Sequence, residues 1–398
     1  MTNKSQKTNY TSFATKAIRS GQEPDPVTGA VIPAIYQTST YLQSSPGRPT
    51  VYNEKLLDYT RCSNPTRSAL EVCLSELEGA KYCVAVGSGL AAITTVFSLL
   101  KQGANIVCGN DVYGGVYRLL TTIFEDRYNV KWVDTTNPDN IRNACREFGR
   151  VDLLWLEAVS NPLLNISDIC IACTIAKEYG AITCIDSTFL TPYLQRPLEL
   201  GADLVVHSLT KYINGHSDVI AGAILTNSTE LNDKLFHIQK TIGPSLSPFD
   251  SWLILRGVRT LEIRMNQHQK NAGQVAEFLK NHPKVDRVLY PSLESHKGCD
   301  VIKSQTSKHF TGGGIVSFYI KGDATKFLES LKIFQLAESL GGVESLACLP
   351  AKMTHASIPE EIRNARGITD KLIRLSVGIE GIDDLICDLD GAFENILQ

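Results

Sequence analysis

Lys211 ends the string Val205-Val206-His207-Ser208-Leu209-Thr210-Lys211, directly after an apolar run from Ala202 to Val206. If that run is a strand, the amine stands at the mouth of a buried sheet. Desolvation there lowers its pKa and makes it a nucleophile. Ser208 and Thr210 flank it as small hydroxyl donors suited to a phosphate. A second apolar run, Ala181 to Ile185, ends in Asp186. A lysine, an aspartate and hydroxyls at strand ends are what pyridoxal phosphate requires. The amine forms a Schiff base, the carboxylate keeps the pyridine nitrogen protonated, and the hydroxyls hold the phosphate. Taken alone, Ser-x-Thr-Lys also describes a surface lysine that follows a strand. The other strand ends must decide.

Ala85-Val86-Gly87-Ser88-Gly89-Leu90-Ala91-Ala92 follows an apolar run and opens a helical pattern. Glycines there let the backbone approach an anion, and a helix N-terminus presents free N–H groups. The same string satisfies the relaxed dinucleotide fingerprint G-x-G-x-x-A, with Asp111 about twenty residues on. A dinucleotide-binding oxidoreductase is therefore the rival, but it leaves Lys211, its hydroxyls and Asp186 without a task. Asp111-Val112-Tyr113-Gly114-Gly115 offers Tyr113 as a ring-stacking aromatic or as packing in a loop. Glu157-Ala158-Val159-Ser160-Asn161-Pro162 ends another apolar run and offers Asn161 as a donor to a ring oxygen. Arg374 interrupts an apolar strand pattern, Lys371 to Gly378. A buried arginine needs an anion, and a substrate α-carboxylate would serve.

The elements that must position these groups are legible from periodicity. Strands are expected at Cys83–Val86, Asn105–Cys108, Val130–Val133, Leu153–Leu156, Ala181–Ile185, Leu204–His207 and Ile220–Leu225. Helical patterns such as Leu90–Leu100 and Ile169–Tyr179 separate them. Strand–helix alternation with near-continuous apolar strands predicts an α/β fold, an open, mostly parallel sheet covered on both faces. Ligands on such sheets gather at the carboxyl ends of strands, where Asp186 and Lys211 fall. Residues 1–62, rich in Pro, Gly, Thr and Tyr, read as an extended arm rather than a packed domain. Residues 63–260 read as the sheet domain and 261–398 as a smaller α+β domain. The latter opens on a long helix from Thr260 and carries strands at Asp286–Leu289, Gly314–Ile320 and Leu372–Ser376.

Composition narrows the function classes. The 398 residues carry a formal charge of −3, so nothing favours nucleic acid or an anionic membrane. Eleven cysteines scattered through apparent strands and helices argue for reduced thiols and a cytoplasmic setting. Cys170-Ile-Ala-Cys173 has no second pair at zinc spacing and reads as core packing, so no metal site is expected. The polar Met1–Thr8 segment shows no secretory signal. Tyr82 to Leu100, uncharged but broken by Gly87 and Gly89, reads as a buried strand-turn-helix rather than a membrane span.

A run of motifs in one order carries a resemblance. They are Tyr59-Thr-Arg61-x-x-Asn64-Pro65-Thr66-Arg67, Gly87-Ser-Gly-Leu-Ala91, Asp111-Val-Tyr-Gly-Gly115, Asp186-Ser-Thr-Phe189, Ser208-x-Thr-Lys211-Tyr212 and Gly215-His-Ser-Asp218. Leu336-Ala-Glu-Ser-Leu-Gly-Gly342, Met353-Thr-His-Ala-Ser357 and Arg374-Leu-Ser-Val-Gly-Ile-Glu380 complete the set. Over essentially its whole length the chain resembles the cystathionine γ-lyase and γ-synthase branch of the Cys/Met-metabolism pyridoxal-phosphate enzymes. The resemblance implies the aspartate-aminotransferase type of fold and an amino-acid substrate. It makes Lys211 the Schiff-base lysine and Asp186 the pyridinium partner, and puts Ser88, Gly89, Leu90, Ser208 and Thr210 on the phosphate. Tyr59 and Arg61 would reach the cofactor of a neighbouring subunit in a homotetramer, a dimer of dimers. Tyr113 would stack on the ring and serve as acid or base. Asn161, Ser339 and Arg374 would position the ring oxygen, the amine and the α-carboxylate. Arg118 and Glu338 would recognise the far end of the substrate.

The implied reaction is γ-elimination from cystathionine, with γ-replacement by a thiol as the alternative and hydrogen sulfide release as a side activity. β-elimination from cystathionine and methionine γ-elimination are less favoured. Cys62-Ser63, Leu209, Ala158-Val159 and Leu163 depart from the usual pattern without removing a functional group.

Overall fold

The computed structural model describes residues 10–25, 27–52 and 55–396. The polar segment Met1–Thr8 lies outside the described residues. Ahead of the main sheet come helix α1 (Phe13–Arg19) and three short antiparallel strands, β1 (Gln43–Ser45), β2 (Arg48–Tyr52) and β3 (Lys55–Leu57). The arm is thus less featureless than its composition suggests. Ser12 caps α1 by accepting from the Thr15 N–H at 3.3 Å, and Ala17 is buried in the core beside helix α2 (Pro65–Glu78). So short a helix gives almost no periodicity to read, and packing rather than propensity holds it.

The central sheet holds seven strands: β4 (Tyr82–Val86), β5 (Ala104–Gly109), β6 (Tyr128–Val133), β7 (Leu153–Glu157), β8 (Ile182–Asp186), β9 (Leu204–Ser208) and β10 (Gly222–Thr226). Their order is β4-β10-β9-β8-β7-β5-β6. Among them β10 alone pairs antiparallel, with β4 on one side and β9 on the other; every other ladder is parallel. Residues alternate between two buried layers, as the doubly covered sheet requires. On β7, Leu154 and Leu156 belong to one apolar cluster with Leu74 and Ile185, whereas Leu153 and Trp155 belong to the other with Val86 and Val206. The segment from Tyr82 is indeed strand, turn and helix, β4 followed by α3 (Gly89–Phe97). No helix among the described residues is long and apolar enough to cross a membrane.

One strand begins later than its apolar run. The sequence predicts Ile220–Leu225, but β10 starts at Gly222. Ala221 leaves the ladder because its N–H donates to Thr210 Oγ1 at 3.0 Å and its carbonyl accepts from Thr210. Ile220 is freed to reach the cavity described below.

The helix Leu261–Asn281 leads into a second sheet of β11 (Val285–Leu289), β12 (Ile315–Ile320), β13 (Gln335–Leu336), β14 (Leu346–Cys348) and β15 (Leu372–Ser376). Its order is β11-β12-β15-β14-β13. Phe318, Phe327, Phe334 and Phe393 fill the core beneath it. All eleven cysteines are unpaired thiols; Cys173 is buried in the core, while Cys170 faces solvent. No group of three or more His, Cys, Asp and Glu among the described residues could hold a metal ion.

Candidate active site

Strands β4, β7, β8 and β9 end on the same edge of the sheet, and a cavity of about 250 Å³ lies there. Past β4, Ser88 is extended (φ −166°) and caps α3 by accepting from the Ala91 N–H at 2.9 Å. The N–H groups of Gly89 and Leu90 head that helix with no acceptor inside it, so they are available to an anion. Gly89 must be glycine: a Cβ there would lie 2.8 Å from both Cβ and Oγ of Ser208 at the end of β9. Ser208 is itself fixed through its N–H, which donates to Thr188 Oγ1 at 2.9 Å.

Asp186 ends β8. Its Oδ1 accepts from the Thr188 N–H at 2.9 Å, while burial pushes its pKa up. A cationic ring nitrogen is the partner that would keep such a carboxylate ionised. Lys211, on the turn after β9, is pushed down to a pKa of about 8, chiefly by burial and then by the positive charge of Arg374. Its Nζ donates to Ser339 Oγ at 2.7 Å. Ser339 adopts φ 93°, a left-handed conformation rare for a side-chain-bearing residue, on the loop between β13 and β14.

Arg374, 3% exposed on β15, donates from Nη1 to Asn161 Oδ1 at 2.8 Å and from Nη2 to the Ser339 carbonyl at 2.9 Å. Its Nε is buried without a partner among the described residues. An orphaned donor on a buried guanidinium is what a carboxylate ligand would satisfy. Because Arg374 takes Oδ1, the Asn161 Nδ2 group is left to donate into the cavity.

Most residues singled out in the sequence meet on this wall: Ser88, Gly89, Leu90, Tyr113, Asn161, Asp186, Ser208, Thr210, Lys211, Glu338, Ser339 and Arg374. Tyr59, Arg61 and Arg118 do not. Arg61 donates to the Lys240 carbonyl at 3.1 Å and lies 4.9 Å from the Tyr59 ring centroid. Arg118 ends the short helix Gly114–Arg118. The cavity also takes in Glu157, Thr188 and Thr354, to which the sequence gave no role. Glu157 could have been noticed as a carboxylate closing an otherwise apolar strand; Thr354 carried no such signal.

These features test the fit of pyridoxal phosphate on the chain's own residues. The helix N-terminus and the glycine-sized gap at Gly89 suit a phosphate, Asp186 a ring nitrogen, and Lys211 an aldehyde. The site and the mostly parallel sheet define a pyridoxal-phosphate enzyme of the aspartate-aminotransferase type. More narrowly, the chain belongs to the Cys/Met metabolism PLP-dependent enzyme family, whose sequence profile matches residues 14–394.

The chain is 47% identical over 394 residues to a cystathionine gamma-lyase of Dictyostelium discoideum, spanning 98% of this chain and 99% of the relative. It is 48% identical over 389 residues to a cystathionine beta-lyase of Lactococcus lactis subsp. cremoris (strain MG1363), spanning 96% and 99%. A crystal structure of cystathionine gamma synthase from Xanthomonas oryzae pv. oryzae in complex with cystathionine matches with a TM-score of 0.92 and 41% identity over 98% of this chain and 99% of that one. The dinucleotide alternative falls with the family assignment. Physically, Asp111 is not presented to a ligand: Ser160 Oγ and Asn165 Nδ2 hydrogen-bond to its buried carboxylate, whose pKa burial pushes up to about 6.

Proposed function

We propose that the chain is a cystathionine γ-lyase, converting L-cystathionine and water to L-cysteine, 2-oxobutanoate and ammonia. The observation that carries this reading is Glu338 on the wall of the cavity that also holds Lys211 and Arg374. Cystathionine has an α-carboxylate at one end and an ammonium group at the other. Arg374 and Glu338 are complementary to those two charges, whereas methionine offers only the first.

When bound, pyridoxal phosphate supplies the electron sink that makes a Cα proton removable. The chain's residues do the rest. Lys211 would hold the cofactor's aldehyde in the resting enzyme, and its amine would carry the Cα proton of the substrate. Ser339 steers that amine through its hydroxyl. Asp186 would keep a proton on the ring nitrogen, and Tyr113 would cover the ring and serve as acid or base. Asn161 donates to the ring oxygen while Arg374 takes the α-carboxylate. Gly89 and Leu90, with Ser88, Ser208 and Thr210, hold the phosphate. In the structure Thr210 shares its hydroxyl with Ala221, so that role requires the hydroxyl to turn. Arg118 reads the far end of the substrate with Glu338. Tyr59 and Arg61, on the arm of residues 1–62, reach the cofactor of a second copy in a homotetramer.

Relatives named as β-lyase and γ-synthase support two further outcomes, so the test is a product assay on purified enzyme. γ-Lyase activity yields 2-oxobutanoate from cystathionine. Pyruvate and homocysteine instead would make the chain a β-lyase. Cystathionine formed from cysteine and an O-acylhomoserine, with little 2-oxobutanoate from cystathionine, would make it a γ-synthase. Sulfide release from cysteine is expected as a minor activity.

A further inference from the structure

Glu157 is the last residue of β7, in register with Asp186 on the parallel neighbour β8. Register partners on adjacent strands project from the same face, so the buried carboxylate of Glu157 and the half-buried one of Asp186 stand side by side on the cavity wall. Keeping a second acid beside Asp186 carries a cost: burial and the Asp186 charge push the Glu157 pKa well up, with Asp111 adding to them. An apolar or amide residue would avoid that cost. What Glu157 gains instead is a grip on two loops. One carboxylate oxygen accepts the Tyr113 N–H at 2.5 Å and the other accepts the Asn161 N–H at 3.1 Å.

Those loops follow different strands, β5 and β7, and carry two of the groups aimed at the cofactor ring. Asn161 is held again from the far side. Its carbonyl accepts from His355 Nε2 at 3.0 Å, and its Oδ1 accepts from Arg374. That carbonyl can only accept, so it places the proton of neutral His355 on Nε2 and leaves Nδ1 to accept from the Thr354 hydroxyl at 2.8 Å. A continuous chain of hydrogen bonds therefore runs from Arg374 through Asn161 and Glu157 to Tyr113, from the carboxylate-binding guanidinium to the ring-covering aromatic.

We infer that Glu157 is a positioning residue: it fixes Tyr113 and Asn161 relative to each other, and through Asn161 couples the seat of Arg374 to the face of the cofactor. The inference rests on the roles proposed above for Tyr113 and Asn161. Glu157 itself transfers no proton in this scheme. A misplacement of about 1 Å at such groups is enough to cost a large factor in rate.

The test compares wild-type holoenzyme with Glu157→Gln and Glu157→Ala. The glutamine keeps the shape but turns an NH2 group towards one of the two N–H donors; the alanine removes both acceptors. The readouts are visible circular dichroism of the bound cofactor, hydrogen–deuterium exchange over 112–114 and 160–162, and kcat separately from KM. With cofactor still bound, Glu157→Gln should alter the dichroic band and speed exchange in both segments about tenfold or more. It should also lower kcat about tenfold. A variant that only melts earlier, with dichroism, exchange and kcat unchanged, would overturn the inference in favour of a strand-end brace. If neither variant folds, the wild-type exchange data decide: amides of Tyr113 and Asn161 exchanging as freely as open loop would overturn it equally. The dichroism and exchange arms need only bound cofactor, so they report on Glu157 whichever reaction the product assay selects.

Discussion

The lowered pKa of Lys211 comes from its surroundings rather than from its type. An exposed lysine stays protonated through neutral pH. Burial together with Arg374 brings this one down to about 8. Only the neutral amine attacks an aldehyde, so below the pKa each pH unit leaves about tenfold less of it. The rate at which apoprotein captures pyridoxal phosphate should therefore climb steeply from about pH 6 and level off above about pH 8. Stopped-flow absorbance across that window checks this, and a flat profile would mean that Lys211 titrates elsewhere. The electrostatics of Glu338 lead to a second expectation. Its carboxylate gains a charge-assisted hydrogen bond from a distal ammonium group and nothing from a substrate that lacks one. Glu338→Ala should raise KM for cystathionine about tenfold while changing KM for short γ-substituted amino acids far less. Equal losses on both substrates would remove Glu338 from substrate recognition.

At the scale of elements, the cavity depends on how closely the start of α3 can approach the rim of the sheet. Gly222 pairs with Val86 on β4 and with Ser208 on β9, at the point where the turn Gly87–Gly89 passes over β10. A Cβ on Gly222 would lie 2.3 Å from the Ser88 carbonyl oxygen and 2.9 Å from Gly89 Cα, both backbone atoms that have no rotamer to yield. Gly222→Ala should therefore push the helix N-terminus off its seat. Retention of pyridoxal phosphate should fall by about tenfold or more, with a lower Tm as well, since overpacking costs roughly 1–3 kcal/mol. Equilibrium dialysis of the cofactor and thermal melts measure the two effects. Wild-type retention in a folded Gly222→Ala protein would show that the turn does not need this contact.

The strands that build the rim were legible because both faces of the sheet are buried and their apolar runs are nearly unbroken. Lys211, Asp186 and Arg374 stood out because charges sit badly at the ends of, or inside, such runs. What stayed hidden was the work of the backbone. Ala221 leaves the ladder for a threonine hydroxyl, α1 is held by packing that a seven-residue window cannot display, and Glu157 acts on main-chain N–H groups contributed by loops from two strands. None of these has a sequence period.

At the scale of the whole molecule, Tyr59 and Arg61 pose the remaining question, because neither lines the cavity of its own chain. Arg61 lies along Tyr59 with its Nε on the Lys240 carbonyl. Asp58, the carboxylate nearest in sequence, accepts instead from Gln43 Nε2 at 3.0 Å, so no local ion pair with Asp58 accounts for the arginine. Tyr59 is 42% exposed, an aromatic–cation pair presented outward from the arm. If these residues complete the phosphate site of a second copy, the exchange is reciprocal in an isologous dimer, and each site draws on two chains. Subunit mixing tests this without further structural work. Arg61→Ala loses what one chain lends to its neighbour, and Lys211→Ala loses what a chain supplies to its own site. Each variant alone should be inactive or nearly so. In a mixed dimer one site carries both defects and the other carries neither. Random exchange of equal amounts makes about half of the dimers mixed, each with one intact site. Activity should therefore return to roughly a quarter of wild type at equal total protein. If subunit exchange is demonstrated with labelled chains and activity stays at the level of the separate variants, each site is built within one chain and Arg61 serves the local fold alone.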